Sequence, residues 1–202
     1  EHLVDATLPY GLMPMCVPQL RTITLGGAVT GLGIESASFR NGTPHESVLE
    51  MDILTGDGEI LTVSGAEDDP NRDLFYGFPN SYGSLGYALR LRIELEPTRP
   101  YVLLRHVRFT TAEAMTAALR SISASREFEG RRVDFLDGTV FSADEQYLTV
   151  GTMVDEPPVG MTPSDYTGMG IYYRSIQSRT IDVLTIHDYL WRWDTDWFWC
   201  SR

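Results

Sequence analysis

The stretch Thr24-Leu-Gly-Gly-Ala-Val-Thr-Gly-Leu-Gly-Ile-Glu-Ser36 is the most informative part of this 202-residue chain, because it sets four glycines among small and hydroxyl side chains. Glycine has no Cβ, so the backbone here can turn through positive φ or approach a ligand closely. Successive main-chain amides are then free to point at an anion. We therefore expect a backbone loop that cradles a long anionic group, with a tight structural crossover between strands as the alternative. The four glycines are Gly26, Gly27, Gly31 and Gly33.

The residues after this stretch predict an antiparallel sheet. Val48–Leu54 reads as a strand, Thr55–Gly58 as a turn and Glu59–Ser64 as the returning strand of a hairpin. A second small-residue patch, Ser81–Gly86, precedes a segment, 88–95, in which apolar and charged residues alternate as in a half-buried strand. Two such patches in one sheet favour a cradle over isolated turns.

Pro97 and Pro100 mark the best internal boundary, so we expect one domain over residues 1–98 and part of a second over 99–202. In the second, Tyr101–Phe109 reads as a strand and Thr110–Glu113 offers a capping box for a helix. Two further strands are expected on either side of Gly138. This order of strand, helix, strand and strand is half of a ferredoxin-like sandwich, and the fold class is α+β.

Composition excludes several functions. The formal net charge is −12, which repels phosphate backbones and makes nucleic acid an unsuitable partner. All sixteen basic residues are Arg, which excludes a Lys Schiff base and a P-loop Lys. The uncharged run Ala6–Leu20 is too short and too rich in Pro to span a bilayer. We interpret Cys16 and Cys200 as buried or incidental thiols and expect a cytoplasmic location, with membrane association open.

An ordered series of motifs resembles the second half of the FAD-binding domain in the vanillyl-alcohol-oxidase, or PCMH-type, flavoprotein superfamily. The series consists of residues 17–27, 31–38, 48–63 and 73–86. Within the superfamily the delta-24 sterol reductases are most similar, since their signature also reads T-x-G-G-x-x-x-G-x-G-I-E-S. Segments beyond the boundary resemble that family's substrate domain: Gly151–Glu156, Tyr172-Tyr173, His187–Tyr189 and Phe198-Trp199.

The resemblance implies a non-covalent FAD site, because no stretch of the R-x-x-H-S or G-G-H-S type is present for a covalent link. It implies no catalytic residue. The cofactor-binding residues that match the family's motifs are Thr24, Leu25, Gly26, Gly27, Thr30, Gly31, Gly33, Ile34, Glu35 and Ser36, with Gly83 and Gly86 from the second patch.

By resemblance, the parent protein is a FAD-dependent oxidoreductase of a sterol-like or other lipid substrate, with a nicotinamide cofactor such as NADPH reducing the flavin. Oxidation of a substrate, with oxygen or another acceptor, is equally open. The family's first FAD subdomain has no counterpart here, so we expect an internal piece of a longer protein that is inactive alone. The alternatives are a non-catalytic scaffold and a lipid-binding module with peripheral membrane contact.

Other chemical candidates are weaker. His187 beside Asp188 suggests a general acid or base, but a packed or solvent-facing His is the favoured interpretation. The four tryptophans fall between Trp191 and Trp199 and suggest a wall for a flat ligand or a membrane belt, with core packing favoured. No spacing fits a metal site. Asn41-Gly-Thr43 is a glycosylation sequon, interpreted as a loop.

Overall fold

A computed structural model describes residues 1–168 and 170–196, and the chain divides into two units that both combine helices with antiparallel sheet. This agrees with the α+β expectation. Unit 1 comprises residues 1–7, 12–18 and 22–96, and unit 2 comprises residues 8–11, 19–21 and 97–202. The predictions made for Trp197, Phe198, Trp199 and Cys200 lie outside the described residues.

Unit 1 is built on a three-stranded sheet of order β3-β2-β4, together with a two-stranded sheet of β1 and β5. Its strands are β1 (Leu12–Pro14), β2 (Val48–Leu54), β3 (Ile60–Ser64), β4 (Tyr87–Ile93) and β5 (Leu95–Pro97). Its helices are α1 (His2–Thr7), α2 (Leu25–Gly31), α3 (Ser38–Asn41) and α4 (Arg72–Gly77), with a 3-10 turn over Pro44–Ser47.

The predicted hairpin is confirmed. β2 and β3 pair antiparallel from Glu50 opposite Ser64 to Leu54 opposite Ile60. Alternation along the strands turns one face inward, where Met51 and Ile53 are fully buried. Val29 of α2 and Phe78, which follows α4, cover the same apolar cluster. The core of unit 1 therefore lies between the sheet and these two segments.

Polar side chains at the C-terminal end of α3 form a hydrogen-bonded group with Glu96. Arg40 donates twice to Glu96, from Nη1 to Oε2 at 2.5 Å and from Nη2 to Oε1 at 3.0 Å. The Asn41 Nδ2 group donates to Glu96 Oε1 and to the Met15 carbonyl, each at 2.7 Å. Asn41 is thus the last residue of a helix and is hydrogen-bonded, so the interpretation of its sequon as a loop is wrong for the Asn itself.

Unit 2 is built on a four-stranded sheet of order β11-β6-β10-β9 and a small hairpin of β7 with β8. Its strands are β6 (Tyr101–Phe109), β7 (Glu127–Phe128), β8 (Arg131–Arg132), β9 (Phe135–Ser142), β10 (Glu145–Val154) and β11 (Ile181–Thr185). Its helices are α5 (Ala112–Ser125), α6 (Tyr172–Ser178) and α7 (Ile186–Leu190).

The expected order of strand, helix, strand and strand is present, but two details of the prediction are wrong. The N-cap of α5 is Thr111, whose hydroxyl accepts from the Ala114 amide, so the cap lies one residue later than the Thr110 box. Gly138 lies within β9 and does not separate two strands. A Cβ at Gly138 would stand 2.9 Å from Met115 Cε, so the glycine permits close packing of α5 on the sheet.

Candidate functional site

The glycine-rich stretch forms a short helix, and the expectation of a loop is wrong for residues 25–31. Thr24 is the N-cap: its extended backbone precedes α2 and its hydroxyl accepts from the Gly27 amide at 3.1 Å. Ala28 and Val29 are buried. The cap and this burial together stabilise a helix that glycine propensity alone disfavours.

The first turn of α2 retains free main-chain donors. The Leu25 and Gly26 amides make no hydrogen bond within the described part of the chain. Thr24 and Gly27 are exposed, so the segment is not buried under its neighbours. Gly26 packs on β4, where a Cβ would lie 3.4 Å from Ala88 Cβ. The Thr30 hydroxyl donates within the helix, to the Gly26 carbonyl at 3.0 Å.

The structure brings the two small-residue segments together within unit 1. The Asn80 amide donates to the Val29 carbonyl at 3.4 Å, and the Tyr82 amide donates to the Thr30 carbonyl at 3.2 Å. Residues 80–86 therefore lie against the C-terminal end of α2. These bonds satisfy helix carbonyls that have no partner inside the helix.

The second segment has an unusual backbone that explains its glycines. Asn80, Tyr82, Gly83 and Gly86 all have positive φ, with Gly86 at 132°. A Cβ at Gly86 would lie 2.3 Å from the Leu54 carbonyl oxygen. This distance is too short for any side chain. The predicted cofactor residue Gly86 therefore has a structural reason to be glycine, because the turn passes directly over the end of β2.

Open space borders both segments. Apart from chain neighbours and the backbone of α2 itself, no atom of the described residues lies within 4 Å of the position where a Cβ would stand at Gly31 or Gly83. The Ser81 hydroxyl is buried and has no hydrogen-bond partner among residues 1–168 and 170–196. An anionic group that lies against main chain needs free space beside glycines together with unused donors, and this region offers both features.

The end of the glycine-rich stretch turns sharply. Leu32 adopts the left-handed conformation with φ 53°, and Ile34 is 81% exposed. The Glu35 amide donates to Ser38 Oγ at 2.9 Å, and Ser36 is buried. A Cβ at Gly33 would lie 3.8 Å from Pro44 Cγ. Ile34 has the most exposed side chain among the predicted cofactor residues of this segment, which are Gly33, Ile34, Glu35 and Ser36.

A separate cleft of about 580 Å³ opens elsewhere in unit 1. It is bordered by the 3-10 turn, the start of β2 and α4, with His45, Leu49 and Tyr76 among its lining residues. None of the twelve predicted cofactor residues lines it. Sequence reasoning did not predict this cleft, because its lining comes from separate segments that the fold brings together.

Unit 2 contains a buried polar row that sequence reasoning missed. Thr149 of β10 is the cross-strand partner of both His106 on β6 and Asp137 on β9. His106 Nδ1 and Thr149 Oγ1 are 2.9 Å apart. Burial lowers the pKa of His106 to about 4, so the ring is neutral at pH 7. The only sequence signal is polar residues at alternate positions of two apolar strands.

Arg192 completes this row. Its guanidinium donates to Asp137 through Nη2 and to the Tyr189 carbonyl through Nη1 at 2.7 Å. The same guanidinium lies 3.8 Å from the centroid of the Tyr189 ring. Burial raises the pKa of the neighbouring Tyr172 hydroxyl, so it stays protonated. The row therefore fixes the segment after α7 on one face of the sheet.

The remaining candidates have structural explanations. Asp188 accepts from the Thr185 hydroxyl at 2.7 Å as part of the α7 cap, and His187 Nδ1 lies 3.3 Å from Asp188 Oδ1. Trp191 is 2% exposed, which confirms core packing for that residue. Cys16 is a buried free thiol, as predicted.

The described residues contain neither a metal-binding cluster nor a membrane-spanning helix. Among residues 1–168 and 170–196, no three His, Cys, Asp or Glu side chains are grouped to hold a metal ion. Within the same residues no helix has the length and apolar character needed to cross a membrane.

Comparison with known proteins identifies relatives. The chain is 31% identical over 158 residues to Delta(24)-sterol reductase of Homo sapiens, covering 78% of this chain and 28% of that protein. It is 36% identical over 141 residues to cytokinin dehydrogenase 3 of Arabidopsis thaliana, covering 69% of this chain and 25% of that protein. No family model matches the chain. The chain thus spans little more than a quarter of the length of these relatives.

The chain is therefore homologous to part of two kinds of oxidoreductase. Both belong to the FAD-linked oxidases with a PCMH-type FAD-binding domain, and this chain is a member of the same family.

Proposed function

We propose that this chain forms part of a FAD-dependent oxidoreductase, with residues 1–98 as the second lobe of the FAD-binding domain and residues 99–202 as the start of the substrate domain. The observation that carries the proposal is the meeting of α2 with residues 80–86. Both are motif-bearing segments, and two main-chain hydrogen bonds join them. Similarity to a sterol reductase and a cytokinin dehydrogenase supports the same conclusion.

The residues of this region fit a long anionic cofactor. The free Leu25 and Gly26 amides are donors for phosphate oxygens, since backbone N–H groups bind such oxygens without Lys. Gly31 and Gly83 leave room for the cofactor beside the backbone. Ile34 supplies an exposed apolar side chain that would exclude water from a bound ring. When bound, FAD supplies the hydride chemistry, and the protein supplies position and polarity.

The reaction that we propose is hydride transfer through the flavin to or from a sterol-like or other lipid substrate, with NADPH as the donor in the reducing direction. The similarity to Delta(24)-sterol reductase favours a sterol-like substrate. Trp191, which the sequence suggested as part of a membrane belt, is buried and does not support the lipid-binding module.

FAD titration of the 202-residue chain, followed by quenching of flavin fluorescence, tests the cofactor site. We expect weak binding at most, with a Kd of about 1 mM or weaker, because these residues match only the second lobe of the family's FAD-binding domain. Gly31→Leu fills the open space beside α2 and should weaken binding at least about tenfold, because the added side chain displaces the cofactor. Gly56→Leu is the matched control, since Gly56 also has no atom near its Cβ position but lies in the β2–β3 turn. Equal effects of the two variants on FAD binding would contradict the proposal.

A further inference from the structure

The sheet of unit 2 leaves part of one strand without a neighbour. β11 pairs with β6 from Thr185 opposite Tyr101 to Ile181 opposite Arg105. The His106 amide still reaches the Thr180 carbonyl at 2.9 Å. β6 continues to Phe109, paired only with β10 among the described strands. A cleft of about 390 Å³ lies where β11 would have continued.

Three arginines line this cleft, although the chain as a whole is strongly acidic. Three of the sixteen arginines line it, namely Arg105, Arg108 and Arg179, against a single carboxylate, that of Glu129. The whole chain has a formal net charge of −12, so the lining of this cleft is richer in guanidinium groups than the chain's overall charge would suggest. Arg is the side chain best suited to phosphate and carboxylate groups.

The three arginines differ in how far they are already paired. Arg105 bonds to Glu129 through Nη1 and stacks over the Phe128 ring at 5.7 Å. Arg179 Nη1 donates to Asp182 Oδ1 at 3.0 Å, and its side chain is 49% exposed. Within residues 1–168 and 170–196, the exposed Arg108 side chain makes no hydrogen bond and no ion pair.

Main chain adds a donor beside the free guanidinium. In an antiparallel ladder, amides two residues apart point to the same edge of a strand. The Arg108 amide therefore points to the side where the His106 amide meets Thr180, beyond the end of β11. One residue thus presents both an unpaired guanidinium and a main-chain N–H to the cleft.

The rest of the lining suits the organic part of a small ligand. Phe128 and Ile176 contribute apolar surface, and Gln177 adds an amide. The volume lies at the lower end of the range for small-molecule sites. We propose that this cleft binds a small phosphate ester, with Arg108 and Arg179 contacting the phosphate and Phe128 contacting the organic group. This site lies in unit 2 and does not depend on the FAD site proposed for unit 1.

Titration of the ¹⁵N-labelled chain with inorganic phosphate and with phenyl phosphate tests this site by NMR. We expect saturable shifts of amides around the cleft, with phenyl phosphate binding more tightly because of its ring. Arg108→Gln should weaken phenyl phosphate binding about ten- to hundredfold, the effect of losing a charge-assisted hydrogen bond. Arg120→Gln is the control, because Arg120 is exposed on α5 and lies outside the cleft.

Three outcomes of this titration would overturn the proposal. The first is no saturable shift up to about 10 mM ligand, which means a Kd weaker than about 10 mM. The second is equal weakening by the two variants, and the third is shifts located outside the cleft. Vesicles of phosphatidylcholine with and without phosphatidic acid distinguish a lipid headgroup from a soluble ester. Binding to phosphatidic acid vesicles without binding of phenyl phosphate would also overturn it.

Discussion

Arg40 and Glu96 form a bidentate ion pair in the interior of unit 1, with side chains only 7% and 10% exposed. The pair joins α3 to β5, and Asn41 donates to the same carboxylate. Two charges removed from water are stable only while each has its partner, because an unpaired buried charge is expensive. Stability of unit 1 therefore depends on both members being present.

Replacing this carboxylate gives the first prediction. Glu96→Gln should lower the free energy of unfolding by about 3 kcal/mol, because it leaves the Arg40 guanidinium buried without a counter-charge. Urea denaturation followed by circular dichroism measures the change. Asp155→Asn is the control, since the Arg99–Asp155 pair is exposed and should contribute less than about 1 kcal/mol. Similar losses in both variants would show that burial of the pair is unimportant.

The second prediction separates two glycines of the same turn. Gly86→Ala should destabilise unit 1 by more than about 3 kcal/mol, because its Cβ would overlap the Leu54 carbonyl and its φ is 132°. Gly83→Ala should cost about 1 kcal/mol, since its φ is 81° but the space around it is open. Thermal unfolding of both variants provides the comparison. A stable Gly86→Ala variant would refute the close approach to β2.

The third prediction concerns pH. Burial, opposed in part by Asp182 and reinforced by Arg192 and Arg179, lowers the pKa of His106 to about 4, below its usual value of 6.5. Between these two pH values the unfolded chain binds the proton more readily than the folded chain does. The free energy of unfolding therefore falls as the pH decreases through this range. The loss approaches about 3 kcal/mol near pH 4.

Urea denaturation between pH 4 and pH 7 measures this effect, with His106→Gln for comparison. The variant lacks the titrating group, so its stability should decline less steeply over the same range. Carboxylates contribute equally to both proteins, and the difference between the two slopes isolates the histidine. Parallel slopes would mean that His106 is not buried in its neutral form.

The fourth prediction concerns the Cys16 thiol. Burial raises its pKa to about 11, and the thiol lies 3.5 Å from Ser38 Oγ. Because the thiolate is the reactive form, Cys16 should resist Ellman's reagent at pH 8 in the folded protein and react fully in urea. The Cys200→Ser variant makes Cys16 the only thiol in the assay. Rapid labelling of the folded variant would show that the site opens.

Local sequence patterns predicted much of the sheet structure. The β2–β3 hairpin was readable because alternating apolar residues flank a Gly-Asp-Gly turn, and β6 was recognised over its full length, Tyr101–Phe109. Glycine misled the prediction at α2, where the Thr24 cap and the burial of Val29 outweigh weak helix propensity. Local signals and tertiary packing conflicted there, and packing prevailed.

The non-local parts of the candidate sites could not be predicted. Thr149, His106 and Asp137 are neighbours only because three strands pair in one register, and a single sequence does not give that register. The contact between α2 and Tyr82 likewise depends on tertiary structure. The motif residues at 24–36 and 83–86 were found by resemblance, and their role in binding FAD stays a prediction.

The hydrogen-bonded side chain of Asn41 bears on how this chain is best produced. Its sequon would be recognised during synthesis in a secretory host, before unit 1 has folded. A sugar on Nδ2 would remove the donor to Met15 and Glu96 and force a bulky group against the end of α3. Bacterial expression avoids this glycosylation. Secretion from yeast or mammalian cells should yield misfolded material unless Thr43 is replaced, which removes the sequon.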